Sequence, residues 1–235
     1  SAGCVLAARL VEAKAGRVAL IEAGPDSRDP RLAIPLMTGI LLRQRRFNWS
    51  FVSEPVADLD GRQLDWPRGK VVGGSGAING MVYARGLALD FDGWGQSGLR
   101  DWTWDRVRPY FERAEGLAPP PTGEGAALRL SQPTWTHPLY DAFIAAADAA
   151  GLGRAADLND PEAVGAGRYA FTIDHGRRAS TARTYLDRVR SDPDFRLIAG
   201  AHVLGLALDG RRCAGVAIDR GAGAETVTAA REVIL

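Results

Sequence analysis

The chain has 235 residues, 46% of them hydrophobic and 24% charged, and its formal net charge is +1. This is the composition of an ordinary soluble globular protein, and the length fits one large domain or two small ones. The near-neutral charge gives no electrostatic reason to expect nucleic acid or an anionic membrane as a partner, and no apolar run is long enough to span a bilayer.

A helix over residues 2–14 and a short strand over residues 17–22 are predicted at the start of the chain. The apolar stripe of this helix consists of Val5, Leu6, Leu10 and Val11. The strand is a short, mostly apolar run, which is typical of a buried strand in a parallel sheet. A helix, a turn and a strand form the second half of a βαβ unit. No first strand and no initiator Met precede them, so we expect the chain to be cut short at this end.

The middle of the chain alternates irregular segments with helices. Residues 25–63 are predicted to be irregular, and residues 64–86 form a glycine-rich segment. Helices are predicted over 103–115, with Thr103 as N-cap and a kink at Pro109, and over 138–150 and 180–190. Three prolines and two glycines at 117–125 indicate a surface loop or a domain boundary.

The end of the chain changes to the two-residue period of β-strands. Strands are predicted over 195–199, 202–208, 213–219 and 227–229. The dipeptide Asp209-Gly210 indicates a tight turn between two of them. Residues 231–235 resemble the start of a buried strand. We expect them to pair in parallel with residues 17–22, or to be separated from them by one further strand.

Two features of the opening segment are those of a dinucleotide-binding fold. Gly3 lies just before a predicted helix, and Glu22 ends the strand that follows. In such folds a glycine lets the backbone approach a pyrophosphate at the helix N-terminus, and an acidic residue about twenty positions later binds ribose hydroxyls. An ordinary helix N-cap and an ordinary strand-end glutamate would give the same pattern, so this segment leaves both interpretations open.

The glycine-rich segment WPRGKVVGGSGAINGMVYARG, residues 66–86, is a stronger signal. Its glycines resist regular structure at an entropic cost, which indicates a backbone lying close to a flat ligand. Asn79 can both donate and accept hydrogen bonds, as the edge of an isoalloxazine ring requires. An exposed glycine-rich loop is disfavoured, because it would expose the apolar residues Val71, Val72, Ile78, Met81 and Val82.

Several stretches of the chain together resemble one enzyme family. The segment RGKVVGGSGAINGMVYARG is similar to the first signature of the glucose–methanol–choline (GMC) oxidoreductases. The opening SAGCVLAARL and the strand end IEAG resemble that family's dinucleotide motif, whose full form is GxGSAG. The segments DWTWDRVRPYFERAE, GRRASTARTYL, FRLIAGAHVLGLALDGRRCAGVAI and AAREVIL resemble its later stretches in the same order. Only residues 117–170 are weakly matched.

This resemblance implies an α/β fold, α+β overall, built on a truncated FAD-binding Rossmann-like domain. An inserted portion of a substrate domain and a set of antiparallel strands would complete it. We expect the FAD-binding domain over 1–116 without its first strand, and a partial substrate-domain segment over 117–190. Residues 191–235 would return to the FAD-binding domain, first as antiparallel strands and then as a parallel strand.

The resemblance also implies a site for FAD bound without a covalent link. Gly3 would lie at the pyrophosphate, and Glu22 would bind the adenosine ribose. The other implied contacts are Val71, Gly74 and Ser75 along the flavin and pyrophosphate, Asn79, Gly80, Met81 and Val82 beside the isoalloxazine ring, and Val203 holding the adenine through its backbone. Two positions depart from the family pattern. Ile78 replaces the His through which some members attach FAD, and Gly76 replaces a common Ser.

The implied activity is hydride transfer from the carbon of an alcohol to N5 of FAD, in a choline-dehydrogenase-like enzyme. The family's proton-accepting His lies in a C-terminal half that this chain does not reach, and we expect structural roles for His137, His175 and His202. The chain is thus interpreted as an N-terminal fragment that is inactive alone. Two alternatives remain open: an FAD-containing lyase similar to the hydroxynitrile lyases, and a non-catalytic FAD-binding fragment.

The remaining predictions concern partners and location. A small-molecule alcohol is the expected partner, without nucleic acid, metal or membrane span, and the oligomeric state is not readable. Cys4 and Cys213 have no CxxC spacing and are interpreted as buried small hydrophobic residues. With no signal peptide at the start, they suit a cytoplasmic protein, and peripheral membrane association stays open.

Overall fold

The computed structural model describes residues 1–117 and 128–235. These residues form two compact units, which are described separately: unit 1 is Ser1–Asn79 with Ser180–Leu235, and unit 2 is Gly80–Ala179. The loop predicted at 117–125 lies outside the described residues except for its first position. The functional boundaries predicted after residues 116 and 190 stay predictions.

The described residues form six α-helices and eleven strands, most of the strands being short. The helices are α1 (Ala2–Glu12), α2 (Thr38–Leu41), α3 (Ala88–Gln96), α4 (Trp104–Glu115), α5 (Pro138–Ala149) and α6 (Asp187–Val189), the last preceded by a π-helical turn at Ala182–Leu186. The strands are β1 (Val18–Glu22), β2 (Phe51–Val52), β3 (Asp65–Trp66), β4 (Val82–Tyr83), β5 (Ala170–Phe171), β6 (Ile173–Asp174), β7 (Arg177–Arg178), β8 (Phe195–Ala199), β9 (His202–Asp209), β10 (Arg212–Asp219) and β11 (Ala224–Thr228). The four predicted long helical segments are therefore confirmed, with ends shifted by a few residues.

Helix α1 uses its smallest side chains for packing. The buried residues are Cys4, Ala7, Ala8 and Val11, which recur at the i, i+3, i+4, i+7 spacing of one helix face. Leu6, assigned to the apolar stripe from sequence, is 41% exposed, so that part of the prediction is wrong. Small side chains allow the helix axis to approach its neighbours closely. The hydrophobicity of the residues alone does not show which face of the helix packs in this way.

The parallel sheet of unit 1 pairs β1 with β8, beginning with Val18 opposite Phe195. Residues 231–235 form no strand, so the prediction that they pair with residues 17–22 is wrong for the described chain. A short apolar run indicates a parallel strand but does not identify its neighbour, and β8 is another such run. The described sheet has two strands, and β1 is only partly buried, with Ala19 exposed.

Unit 1 also contains the antiparallel pair β2-β3 and the three-stranded sheet β11-β10-β9, which is antiparallel throughout. The turn between β9 and β10 contains Gly210 with φ +57°, which confirms the predicted tight turn. Strand β11 starts at Ala224, earlier than predicted. The core of this part consists of Ile198, Ala201, Val216 and Ile218, with Val233 packed against it.

Unit 2 combines helices α3, α4 and α5 with two small antiparallel pairs, β4-β5 and β6-β7. Aromatic rings of α3 and α4 pack edge-on, as between Phe91 and Phe111, whose ring centroids are 5.7 Å apart. Helix α4 continues through Pro109. Within the described ranges, no helix is both long enough and apolar enough to cross a membrane.

The connection after β1 leaves no room for a side chain at Gly24. A Cβ at this position would lie 2.0 Å from the backbone oxygen of Lys70. We therefore expect Gly24→Ala to lower the free energy of unfolding by about 3 kcal/mol, because the backbone of two segments would have to separate. Urea denaturation followed by circular dichroism measures this change.

Gly39→Ala is the matched control for this substitution. No described atom lies within 4 Å of a Cβ added at Gly39, which is in α2. Alanine is favoured over glycine in helices by up to about 1 kcal/mol, so this variant should be as stable as the wild type or more stable. Equal stability of both variants would contradict the close approach at Gly24.

Candidate functional site

The glycine-rich turn lies against the beginning of α1. The Ser1 hydroxyl donates a hydrogen bond to the carbonyl of Gly73 and accepts one from the backbone N–H of Gly76, each at 3.0 Å. A Cβ at Gly74 would lie 2.6 Å from the backbone nitrogen of Ser1. The Thr181 hydroxyl also donates to the carbonyl of Ser1, at 3.0 Å. Segments distant in sequence therefore meet at the positive end of the helix dipole, where anions bind favourably.

The turn is held by its own backbone and by Ser75. It forms a short 3₁₀ helix over Gly74–Ala77, and Gly73 and Gly74 have φ values of +102° and +60°, which favour glycine. The N–H of Gly69 donates to the Ser75 hydroxyl at 3.0 Å. Val71 is fully buried. The side chain of Val71 therefore belongs to the core, and only its backbone is available to a ligand.

Gly3, in the first turn of α1, is the point of close contact between that helix and β1. A Cβ there would lie 3.2 Å from a methyl carbon of Leu20. A glycine that permits close helix–strand packing is the third glycine of a dinucleotide fingerprint. This close packing is compatible with the dinucleotide interpretation of the opening segment.

Glu22 ends β1 with its carboxylate partly buried. One carboxylate oxygen accepts a hydrogen bond from the N–H of Gly24 at 2.7 Å. Burial raises the pKa of Glu22 above its ordinary value, while the Gly24 hydrogen bond and the positive charge of Lys70 act in the opposite direction. The second oxygen can accept hydrogen bonds from a ligand hydroxyl.

Val203 lies near the same end of the parallel sheet as Glu22. The carbonyl of Glu22 accepts the N–H of Ala201 at 3.0 Å, and the carbonyl of Gly24 accepts the N–H of Gly200 at 2.9 Å. Val203 follows two residues later, in β9, with 40% of its surface exposed. Glu22 and Val203 are the two residues predicted to contact adenosine. Although they are distant in sequence, they lie near the same end of the parallel sheet.

Asn79 ends the first segment of unit 1, and its backbone is well fixed. Its N–H donates to the carbonyl of Ser75 at 2.8 Å, and its carbonyl accepts the Thr38 hydroxyl at 3.1 Å. The residue itself is exposed. An anchored backbone with an accessible side chain suits a contact with the polar edge of a ring.

Gly80, Met81 and Val82 begin unit 2. Met81 has φ +63° and a buried side chain, and its carbonyl accepts two hydrogen bonds from Thr172, one from the backbone N–H at 2.9 Å and one from the hydroxyl at 3.2 Å. Val82 is 50% exposed and pairs with Phe171. No described atom lies within 4 Å of a Cβ added at Gly80. The open backbone at Gly80 fits a flat ring system.

Sequence reasoning missed a buried carboxylate network directly after this segment. The carboxylate of Glu115 accepts hydrogen bonds from the Tyr83 hydroxyl at 2.5 Å and from Nε of Arg85 at 2.6 Å. Burial and the neighbouring carboxylate raise the pKa of Tyr83. Glu115 ends α4, some thirty positions away, so no local pattern in the sequence could have paired these residues.

The three histidines have local contacts in the structure. Nδ1 of His137 accepts the N–H of Leu139 at the start of α5, and His175 lies exposed in the turn after β6. The ring of His202 lies 5.5 Å from that of Trp49. Over residues 1–117 and 128–235, no group of His, Cys, Asp and Glu is placed to hold a metal ion.

Comparison with known proteins identifies relatives of the whole chain. The GMC oxidoreductase family model matches residues 1–235. The oxygen-dependent choline dehydrogenases of Vibrio vulnificus and Burkholderia vietnamiensis are 39% and 40% identical over all of this chain. The chain covers 43% of each, so it spans less than half the length of these relatives.

Solved structures show the same relationship. Pyridoxine 4-oxidase from Mesorbium loti superimposes with a TM-score of 0.88 at 33% identity, over 97% of this chain and 46% of that protein. A formate oxidase variant from Aspergillus oryzae RIB40 superimposes with a TM-score of 0.85 at 25% identity, over 99% of this chain and 43% of that protein. The mixed α/β fold predicted from the sequence is thereby confirmed.

The partly buried carboxylate of Glu22 has a consequence for stability. Its pKa is raised in the folded state, so the folded protein keeps a proton that the unfolded chain loses, and stability falls as pH rises above the ordinary value of 4.5. Glu22→Gln keeps an acceptor for Gly24 and removes this ionisation. We expect the variant to gain stability relative to the wild type as pH rises from about 4 to 7.

Urea unfolding of the FAD-free protein at several pH values measures this difference. The same substitution at the exposed Glu54 controls for the loss of one carboxylate. A difference between Glu22→Gln and wild type that stays constant with pH would contradict the assignment.

Proposed function

Because this chain belongs to the GMC oxidoreductase family, we propose that the full-length protein is an FAD-dependent oxidoreductase that oxidises the CH–OH group of a small alcohol. The observation that carries the proposal is the meeting of the glycine turn, the start of α1 and the strand-end Glu22 within unit 1. The choline dehydrogenases that match the whole chain support an alcohol such as choline as the substrate.

The residues of unit 1 would hold the dinucleotide end of FAD. The backbone of the turn around Gly74 and the start of α1, including Gly3, would bind the pyrophosphate, with Ser75 keeping the turn in shape. Glu22 would accept hydrogen bonds from the ribose hydroxyls, and the backbone at Val203 would hold the adenine. This arrangement needs no metal ion.

A second group of residues would contact the flavin ring. Asn79, Gly80, Met81 and Val82 form the segment proposed to run beside it, and the backbone at Val71 is proposed to line the flavin and pyrophosphate. Bound FAD would supply the hydride acceptor for oxidation of the alcohol carbon. The three histidines have the local contacts described above, and we assign the proton-accepting His to the part of the full-length protein that this chain does not span.

The reaction itself is tested with the full-length protein under anaerobic conditions. We expect choline or another small primary alcohol to bleach the visible absorbance of the oxidised flavin, with one aldehyde formed per flavin reduced. An FAD-containing protein that stays oxidised with every alcohol, or that forms an aldehyde from a cyanohydrin without flavin reduction, would contradict an oxidoreductase. The second result would favour the lyase alternative, to which the relatives named above lend no support.

We further propose that FAD is bound without a covalent link at residue 78. Ile78 is 1% exposed and packs in a cluster with Leu41, Phe47, Val71 and Ala77, and its aliphatic side chain has no group that could bond to flavin. FAD modification is known in the Aspergillus oryzae formate oxidase, so the linkage needs a direct test.

Precipitation of the full-length holoprotein with trichloroacetic acid provides this test. We expect all of the yellow colour in the supernatant, because only non-covalent contacts are broken. Absorbance and mass spectrometry of the pellet complete the measurement. Flavin that remains with the precipitated polypeptide would overturn the proposal.

A further inference from the structure

Met81 has an unusual backbone conformation for a residue with a long side chain. Its φ is +63°, in the left-handed region. Among the described residues other than glycine, a positive φ also occurs at Lys14, Ser50, Asp60 and His175, which are exposed or half-buried, whereas Met81 is 6% exposed. The left-handed conformation is unfavourable for a residue with a Cβ and persists only where the surrounding structure imposes it. Such positions are concentrated at functional sites.

Thr172 imposes this conformation through the carbonyl of Met81. Its backbone N–H and its side-chain hydroxyl both donate to that oxygen, at 2.9 and 3.2 Å. The backbone bond continues the antiparallel pairing of β4 with β5. The hydroxyl is a second donor that strand pairing does not require. Because a carbonyl oxygen has two lone pairs, two donors fix its direction more closely than one.

Thr172 is itself held by backbone hydrogen bonds to other segments of unit 2. Its carbonyl accepts the N–H of Ala179 at 2.9 Å. The preceding residue, Phe171, exchanges two backbone hydrogen bonds with Ser131, each at 2.9 Å. The hydroxyl is therefore presented to Met81 by a hydrogen-bonded framework and not by an isolated loop.

The direction of the Met81 carbonyl determines what the segment presents on its other side. In a trans peptide the carbonyl and the following N–H point in opposite directions, so the N–H of Val82 is directed away from Thr172. The strand register gives the same result, because Val82 and Phe171 form a non-hydrogen-bonded pair. The orientation of the amide groups in the proposed flavin segment thus depends on one carbonyl.

We propose that Thr172 is a positioning residue for the flavin, whose hydroxyl holds Met81 in its left-handed conformation and so sets the direction of the amide groups in residues 80–82. This inference rests on the proposed function and extends it to a residue 91 positions after Met81. Thr172 acts through Met81 and not by contact with the ring. Fixed amide groups beside the ring stabilise the negative charge that it gains on reduction.

The test uses the full-length holoprotein carrying Thr172→Val, which removes the hydroxyl and keeps the β-branched shape. We expect the reduction potential of bound FAD, measured against a reference dye, to become more negative. The rate constant of flavin reduction at saturating choline should fall about tenfold. The dissociation constant of FAD should change little, because Thr172 is not among the residues proposed to bind the dinucleotide end. Thr172→Ser, which keeps the hydroxyl, should restore the potential and the rate.

Thr184→Val is the matched control. The Thr184 hydroxyl also donates to a backbone carbonyl at 3.2 Å, that of Ser180, and the residue is likewise half-buried. It lies in the π-helical turn of unit 1 and is not part of the proposed flavin segment. Loss of a threonine hydroxyl should lower the unfolding temperature of both valine variants, whereas only Thr172→Val should change the properties of the flavin.

Several results would overturn the inference. A reduction potential and a reduction rate in Thr172→Val equal to those of the wild type would leave the hydroxyl a purely structural role. Equal changes in Thr172→Val and Thr172→Ser, or in Thr172→Val and Thr184→Val, would also contradict it. If Thr172→Val does not fold, Thr172→Ala takes its place with the same expected results. A wild-type holoprotein that no alcohol reduces contradicts the proposed function, while the reduction potentials still test Thr172 separately.

Discussion

The close packing of the glycine turn on the first residues of α1 is the contact on which the candidate site depends. Side chains at Gly74 and Gly76 would collide with Ser1 or crowd it, and a side chain at Gly69 would overlap the backbone of Gly74. Because these positions lack a Cβ, the backbone N–H groups of the turn and of the helix start can lie together. Such groups bind a pyrophosphate without any charged side chain, and the helix dipole strengthens the interaction.

The electrostatics of the site centre on one partly buried carboxylate. Burial favours the neutral form of Glu22, whereas the Gly24 N–H and the charge of Lys70 favour the ionised form. An ionised carboxylate is the better acceptor for ribose hydroxyls. The positive charge of Lys70 therefore favours the carboxylate form of Glu22, which the proposed ribose contact would use.

In unit 2, the segment Gly80–Val82 is followed by a network that fixes its position. The carboxylate of Glu115 is 8% exposed and accepts hydrogen bonds from Tyr83 and Arg85, so its charge is compensated by a cation and a hydroxyl. Removing one member of a buried pair leaves the other uncompensated, which is strongly destabilising. The network thus ties β4, which includes Val82, to the end of α4. Met81, with its left-handed backbone, is held in turn by Thr172.

Local information in the sequence was sufficient for helices α1, α4, α5 and α6, the β9-β10 hairpin with its Gly210 turn, and the family resemblance of residues 68–86, but it did not predict α2 and α3. Helix periodicity, turn residues and glycine content are each set by neighbours a few positions apart. The spacing of Gly3 and Glu22 fits a βαβ fingerprint, but it fits an ordinary helix N-cap and strand-end glutamate equally well, and only the wider family resemblance favoured the first interpretation. Strand pairing was different: β1 lies beside β8 and not beside residues 231–235, because equally apolar short runs carry no label for their partner. The contacts of Trp49 with His202 and of Tyr83 and Arg85 with Glu115 likewise arose only from tertiary structure. They join side chains far apart in the chain, and packing in three dimensions, not local preference, determines which of them meet.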